Sequence, residues 1–305
     1  GYGEIPDRNY SIAAIRKAYD FGCTFFDTAE SYGPNLLPEN QGHNERIVGE
    51  AVHDFRKNVV LATKLHLDAS EVTEKGLESV MREHLTASLD RLRTDYADLY
   101  YLHRINPAIP VEDVAEVMGK LIGNGLIRGW GLSQVDVDVI DRANAVTPLS
   151  AVQNIYSMLE RGVEDAVIPY CLAHNIGVVP FSPIASGFLS GKVTADSDFS
   201  HSDDVRKFVP QLQKENMAPS RYWIFSNAMR QIKMPPRHRS PCVGCSINIP
   251  MWCRFLVLKI KNGFWKIWEH GMSRFLMRNL QHWRLLWRRF RCMDIVGLWN
   301  SKAAA

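Results

Sequence analysis

Three apolar segments of the chain each stop at an ionisable residue, a pattern that indicates buried strands delivering charged groups to one place. The segments are Cys23–Asp27, Asn58–Lys64 and Ala97–His103, and Tyr32 follows the first of them. A parallel α/β barrel gathers the C-terminal ends of its strands on one face, where catalytic groups are found. One such strand end could be accidental, but three in succession indicate an acid–base site.

The side chains of Asp27, Tyr32, Lys64 and His103 suit one kind of proton transfer. An ammonium group stabilises a nearby phenolate, and a carboxylate beside the ammonium keeps it charged and in place. Tyr32 could then give a proton to a carbonyl oxygen near neutral pH, while a neutral His103 imidazole orients that oxygen. None of the four is an obvious nucleophile or hydride source, so a hydride would have to come from a nicotinamide cofactor.

Each of these residues also has a structural interpretation when it is taken alone. Asp27 could cap a helix, and Lys64 could extend from a strand end into solvent. A single histidine such as His103 is more often structural than catalytic. His66, two residues after Lys64, is expected to face solvent rather than to belong to the site.

The segments that must position these side chains alternate between helical and extended patterns from Asn9 to about Ser182. Apolar residues at three- and four-residue spacing predict one amphipathic helix over Glu71–Arg93. Alternating helices and buried strands favour a parallel sheet, and no GxGxxG motif follows the first strand as it would in a doubly wound dinucleotide-binding fold. The predicted strands cover residues 23–27, 58–64, 97–103, 126–133, 150–153 and 177–182, and the other predicted helices cover 11–21, 111–123, 135–145 and 162–174.

The 305 residues are enough for one α/β barrel or two smaller domains, but their charge is unevenly distributed. The net charge of +3 divides into −11 for residues 1–217 and +14 for residues 218–305. No run of about 18 uncharged apolar residues predicts a membrane span. Only Cys23 and Cys171 precede residue 218, which fits a reducing cytoplasm. The start has no initiator Met and no secretory signal, so we expect a chain cut at its front.

At the candidate site residues the chain resembles the aldo-keto reductase family, and its loops look most like those of bacterial, plant and fungal members. The resemblance covers roughly residues 1–217 and implies a (β/α)8 TIM barrel that reduces aldehydes or ketones with NADPH. The matching motifs are TFFDTAESYG, VVLATKLH, DLYYLHRIN, IRGWGLS, AVQNIYS and VVPFSPIASGFLSGK.

The resemblance implies a role for each matching residue. Tyr32 would be the general acid, Lys64 would tune it, Asp27 would anchor Lys64, and His103 would orient the substrate carbonyl. The remaining matches would bind the cofactor, and no metal site is predicted. Among them, Ser133 and Gln153 would hold the carboxamide, Phe181 would stack on the nicotinamide, and Ser182, Gly187, Leu189 and Gly191 would line the pyrophosphate loop.

From about residue 218 the resemblance stops, and the sequence suggests a frameshift. When the tail is read one nucleotide out of register, Met251–Cys253 forces Val-Val and Phe264–Lys266 forces Leu-Glu. Synonymous codons elsewhere permit text like the missing family helix, last strand and phosphate loop. We hypothesise that one nucleotide was lost just before Pro219. The expected cut at the front removes the family's first barrel strand, and the frameshift removes the eighth and leaves a tail with little native structure. Encoding DNA that holds no family text one base away would refute this hypothesis.

Other interpretations of the tail stay open. Cys242, Cys245 and Cys253 resemble a zinc site with loose spacing. The basic segment Arg284–Arg291 resembles a surface that binds membrane or nucleic acid. The competing hypothesis is therefore a non-enzymatic binding protein with a basic, Trp-rich tail. The reductase hypothesis expects a small carbonyl substrate and no specific nucleic-acid or membrane partner, and it expects this chain to bind NADPH poorly because the phosphate-binding loop is lost.

Overall fold

The computed structural model describes residues 7–34, 38–157, 160–190, 193, 196–200, 204–209 and 212. The tail lies outside these residues, and with it the predicted frameshift, the cysteine cluster and the basic segment. Gly191 of the predicted pyrophosphate loop lies outside them too. In the part of the chain that is described, no helix is long and apolar enough to cross a bilayer, and no group of three or more His, Cys, Asp or Glu residues could hold a metal ion.

Six parallel strands form one sheet in sequence order, and each is joined to the next by one or more helices. This is the topology of a parallel α/β barrel, with six of its strands in the described residues. The strands are β1 (Phe25–Asp27), β2 (Val60–Leu65), β3 (Leu99–Leu102), β4 (Trp130–Ser133), β5 (Ala151–Ile155) and β6 (Gly177–Phe181). The helices are α1 (Arg8–Asp20), α2 (His43–Val52), α3 (Ala69–Lys75), α4 (Leu77–Leu92), α5 (Val111–Gly123), α6 (Val137–Val146) and α7 (Val167–Ala173).

Alternation along each strand separates a helix-facing core from an inner face. Tyr100 and Leu102 of β3 belong to the large core that includes residues of α4 and α5. Leu99 and Tyr101 instead form a separate cluster with residues of β2 and β5. Successive side chains of a strand point to opposite faces, so every second residue lies on the inner face. Counting in twos from these inner residues gives the residue that each strand places on the inner face at its C-terminal end. The inner-facing residues at the C-terminal edge of the sheet are Asp27, Lys64, His103, Ser133, Gln153 and Phe181.

The helix predicted over Glu71–Arg93 is in fact two helices, α3 and α4, separated by Gly76. Gly76 has φ of +83°, a conformation that glycine adopts without the strain a side chain would cause. Its N–H donates to the Val72 carbonyl and ends α3. The prediction of one helix was wrong because the apolar spacing continues across this break.

The helix predicted over residues 162–174 was wrong in its first turn. Gly162–Glu164 forms a 3-10 turn, and α7 begins only at Val167. Pro169 then lies in the first turn of α7, where the missing N–H of proline has no partner to lose. Helix α2 was not predicted, although it buries Ile47 and Val48 among other residues.

Candidate active site

The buried ammonium group of Lys64 connects three parts of the candidate site. Its side chain is fully buried, and Nζ forms an ion pair with the Asp27 carboxylate. Nζ also donates to the Thr28 carbonyl at 2.7 Å and to the Tyr32 hydroxyl at 3.3 Å. A buried ammonium needs a counter-charge and further hydrogen bonds to offset its lost hydration. Asp27, Thr28 and Tyr32 supply these together, so the Lys64 side chain is held in one place.

The segment after β1 brings Tyr32 back over the end of β2. The Thr28 N–H donates to the Ala62 carbonyl at 2.9 Å, and the Glu30 N–H donates to the Lys64 carbonyl at 3.2 Å. The segment therefore stays against β2 until a turn, closed by the Tyr32 N–H on the Ala29 carbonyl at 3.1 Å, directs the phenol toward Lys64. Tyr32 is 37% exposed, so its hydroxyl is accessible to a ligand.

His103 is a neutral imidazole beside the phenol. Its ring lies edge-on to Tyr32, with 5.5 Å between ring centroids. Burial lowers the pKa of His103 to about 3, and the nearby His66, Lys64 and Arg104 act in the same direction. At neutral pH the ring thus keeps one N–H donor and one acceptor nitrogen. It is able to hydrogen-bond a carbonyl oxygen without adding a charge.

His66 is exposed, as expected, and its ring lies beside that of His103. The two imidazole rings lie 4.4 Å apart between centroids. Partial burial lowers the pKa of His66. His66 does not line the cavity of the site, so the expectation that it faces solvent agrees with the structure, although the end of β2 brings its ring beside the end of β3.

A second set of predicted residues borders one cavity with Tyr32 and His103. The cavity has a volume of about 170 Å³. On its wall, the Gln153 amide donates to the Asp27 carboxylate at 3.1 Å, and the Ser133 hydroxyl accepts from Arg104 at 2.9 Å. The other predicted residues that line it are Phe181 and Ser182.

The segment after β6 follows an unusual backbone path. Ser182, Ala185 and Ser186 have φ of 51°, 48° and 54°, left-handed values that strain residues with a side chain, and Gly187 follows with φ of 97°. Strain of this kind is concentrated at binding sites, where the fold over-determines the backbone. Gly187 and Leu189 do not line the cavity. The Leu189 side chain is buried in an apolar cluster, so only its backbone could meet a ligand.

Two residues near the site were not predicted. Arg104 follows His103 directly and lines the cavity. The buried carboxylate of Glu30 accepts from the His66 N–H at 2.7 Å and lies 2.9 Å from Nδ1 of His84. The only signal for Arg104 in the sequence was its place one residue past a strand end. Glu30 gave none, because its partner His84 is 54 residues away.

Three kinds of group on this cavity suit a flat ring that carries an amide. Ser133 and Gln153 offer a hydroxyl and a carboxamide for hydrogen bonds, and Phe181 offers an aromatic face for stacking. The acid–base group formed by Tyr32 and Lys64 lies on the same cavity. A ring and a second reactant bound here would therefore both be close to the phenol.

Comparison with known proteins gives consistent results. A family model described as the aldo/keto reductase family matches residues 2–232, past the limit predicted at residue 217. The aldo-keto reductase YhdN of Bacillus subtilis is 37% identical over 212 residues, which are 68% of this chain and 62% of YhdN. A solved aldo/keto reductase of Klebsiella pneumoniae in complex with NADP and acetate is 33% identical, with a TM-score of 0.52 over 64% of this chain and 63% of that one.

A further solved structure, the glycerol dehydrogenase AKR11B4 of Gluconobacter oxydans, is 29% identical with a TM-score of 0.60. It matches 70% of this chain and 65% of its own length. The chain therefore spans less than two thirds of the length of these relatives. The predicted fold class, an incomplete (β/α)8 barrel, is confirmed by these structures together with the six parallel strands. The predicted division into a barrel and an out-of-frame tail stays a prediction.

Proposed function

Because the chain belongs to the aldo/keto reductase family, we propose that it is an NADPH-dependent oxidoreductase by descent that reduces aldehydes or ketones to alcohols. The observation that carries the proposal is the hydrogen bond of 3.3 Å from Lys64 Nζ to the Tyr32 hydroxyl, with Asp27 paired to the same ammonium. That arrangement prepares a phenol to release a proton, because the positive charge stabilises the phenolate that is left.

In the proposed reaction Tyr32 gives its hydroxyl proton to the carbonyl oxygen of the substrate. The Lys64 ammonium stabilises the phenolate as it forms, and Asp27 keeps the ammonium in position. The neutral His103 ring holds the same carbonyl oxygen by a hydrogen bond, which fixes the direction of proton transfer. The product is the alcohol, and Tyr32 regains a proton from solvent through its exposed face.

The residues on the cavity wall fit the nicotinamide end of the cofactor. Ser133 and Gln153 would bind its carboxamide, and Phe181 would stack on its ring. Ser182 and the backbone of Gly187, Leu189 and Gly191 would hold the pyrophosphate. When bound, NADPH supplies the hydride that the carbonyl carbon accepts.

We also propose that this chain binds NADPH weakly and turns over slowly. Residues 218–305 contain no segment that reads as the family's basic loop for the 2′-phosphate. Each charge-assisted hydrogen bond lost there removes about 1.5–3 kcal/mol of binding free energy. The catalytic groups would then be intact while the cofactor affinity is low.

The decisive experiment compares Tyr32→Phe with the unaltered chain and with Tyr10→Phe. Tyr10 is an exposed residue of α1 and serves as the matched control. We expect oxidation of NADPH by a generic aldehyde to fall by about 10² or more in Tyr32→Phe, the usual contribution of a general acid, and to be unchanged in Tyr10→Phe. Equal rates above the background without enzyme in all three proteins would exclude Tyr32 as the acid.

A further inference from the structure

Among the described residues, Arg104 is the one arginine on the cavity wall, and none of their acids pairs with it. Ten of the twelve arginines in the described residues lie within 4.0 Å of a carboxylate oxygen. The two exceptions are Arg46, which donates to the Gln41 carbonyl, and Arg104. Arg104 instead uses a single nitrogen, Nη1, to donate to the His103 carbonyl at 2.5 Å and to the Ser133 hydroxyl at 2.9 Å.

The other described residues of the cavity wall offer no negative charge to this guanidinium. The lining residues other than Arg104 are uncharged at neutral pH, His103 included, because burial lowers its pKa to about 3. The carboxylate of the candidate site, Asp27, is already paired with Lys64 and Gln153. Among the described residues, the wall therefore carries one full charge, and it is positive.

The present contacts of Arg104 are ones that the proposed cofactor would take over. Its guanidinium carbon lies 5.5 Å from the centroid of the Phe181 ring, the face assigned to the nicotinamide. Its partner Ser133 is assigned to the carboxamide. The other two guanidinium nitrogens, Nε and Nη2, donate to no acceptor among the described residues, so they can pair with an anion whether or not a ring is bound. A planar guanidinium binds a carboxylate through two parallel hydrogen bonds, the strongest pairing open to it.

We propose that Arg104 binds the carboxylate of carbonyl substrates, so that the protein prefers oxo acids over neutral aldehydes and ketones. The inference rests on the proposed function. The substrate carboxylate pairs with the guanidinium, and its carbonyl oxygen meets Tyr32 and His103 on the same cavity wall. The diphosphate of the cofactor is the other anion that Arg104 could bind, and the binding experiment below distinguishes it from a substrate carboxylate.

The kinetic test uses two substrates that differ in one charge, 4-carboxybenzaldehyde and its methyl ester. Arg104→Gln removes the charge, and Arg142→Gln is the matched control because Arg142 is exposed and paired with Glu112. We expect the ratio of kcat/KM for acid over ester to fall about tenfold to a hundredfold in Arg104→Gln, the value of one charged hydrogen bond. The ratio should not change in Arg142→Gln. An unchanged ratio in Arg104→Gln overturns the proposal.

A binding test without cofactor separates this proposal from the proposed function. Calorimetric titration of the full chain with benzoate and with benzamide measures the preference for a carboxylate directly. We expect benzoate to bind more tightly than benzamide, and Arg104→Gln to remove the difference. If the unaltered chain reduces neither aldehyde, as the proposed weak binding of NADPH would allow, the titration alone decides the role of Arg104. The carboxylate proposal is overturned if benzoate and benzamide bind equally well to the unaltered chain. It is also overturned if Arg104→Gln lowers the affinity for NADPH but leaves the preference for benzoate unchanged, because Arg104 would then bind the cofactor's diphosphate.

Discussion

The Gln153 amide donates to the Asp27 carboxylate at 3.1 Å, although their strands stand first and fifth in the sheet. In a flat sheet four strand spacings would separate β1 from β5 by about 19 Å. The contact therefore requires the sheet to curl on itself. It also ties the residue that holds Lys64 to the residue proposed to bind the cofactor, across the inside of the barrel.

Removing the counter-charge of Lys64 should destabilise the fold. In Asp27→Asn the buried ammonium loses its only carboxylate contact among the described residues, and we expect the free energy of unfolding to fall by about 3 kcal/mol. Lys64→Met removes the buried charge itself, so the double variant should be no less stable than Asp27→Asn. Urea unfolding at neutral pH measures both, with the exposed Asp138→Asn as the control. If the decrease in unfolding free energy in the double variant equals the sum of the decreases in Asp27→Asn and Lys64→Met, the two side chains do not stabilise each other.

His84 should stabilise the protein at low pH and lose that effect as the pH rises. Its hydrogen bond to Glu30 raises the pKa of His84 in spite of its partial burial. The folded state therefore holds a proton more tightly than the unfolded state, whose histidine titrates near 6.5. We expect His84→Gln to lower the free energy of unfolding by about 1–2 kcal/mol at pH 5.5 and by less at pH 9. The exposed His53→Gln should change it by less than about 0.5 kcal/mol at either pH. A loss of the same size at both pH values for His84→Gln would count against the ion pair.

His103 should lower the stability of the protein as the pH falls, the opposite of His84. Because burial lowers the pKa of His103 to about 3, only the unfolded state takes up its proton between about pH 6.5 and 3. Stability from this residue is complete above pH 6.5 and declines as the pH falls. We expect the free energy of unfolding of His103→Asn to fall by about 2 kcal/mol less than that of the unaltered chain when the pH is lowered from 7.5 to 5, since protonation of the unfolded histidine is worth about 1.4 kcal/mol per pH unit below 6.5. Denaturant unfolding at the two pH values gives the difference, and identical losses would show that His103 titrates normally.

Replacing two helical glycines by alanine should change the stability of the protein differently. A Cβ on Gly49 of α2 would lie 2.6 Å from the backbone of Leu92, so Gly49→Ala should destabilise the protein by about 1–3 kcal/mol. A Cβ on Gly123 of α5 would meet none of the described residues within 4 Å, so Gly123→Ala should be neutral or stabilise the protein by about 0.5 kcal/mol. Thermal unfolding of the two variants checks the pair. Equal effects would mean that α2 is not packed closely on the end of α4.

NADPH should bind this chain more weakly than micromolar. The proposed cause is the altered tail, so the control is the chain encoded after one nucleotide is inserted just before the codon of Pro219. We expect that chain to bind NADPH at least about a hundredfold more tightly, since two or more charged hydrogen bonds would return. A fluorescence titration of both proteins measures the affinities. Micromolar or tighter binding by the unaltered chain would refute the weak-binding proposal.

The sequence predicted the six strands and the order of the candidate catalytic residues, because each strand is a short apolar run that ends in a polar group. It failed where a single glycine or proline decides the backbone path. Gly76 divides one periodic segment into two helices, and Pro169 delays the start of α7. The spacing of apolar residues indicates which residues are buried. It does not reveal a break such as the one at Gly76, because the apolar spacing continues unchanged on both sides of it.

By itself the sequence determined the family, the parallel strands and the identity of the residues on the inner rows. Only the tertiary structure decided the contacts between rows. Gln153 reaches Asp27, the His66 ring lies against His103, and Arg104 meets Ser133 on a wall whose described residues include no acid. These contacts join residues 29 to 126 positions apart, as in Arg104–Ser133 and Asp27–Gln153. The physical reason is curvature: the alternation of a strand fixes the face of each side chain, whereas the curl of the sheet fixes which faces meet.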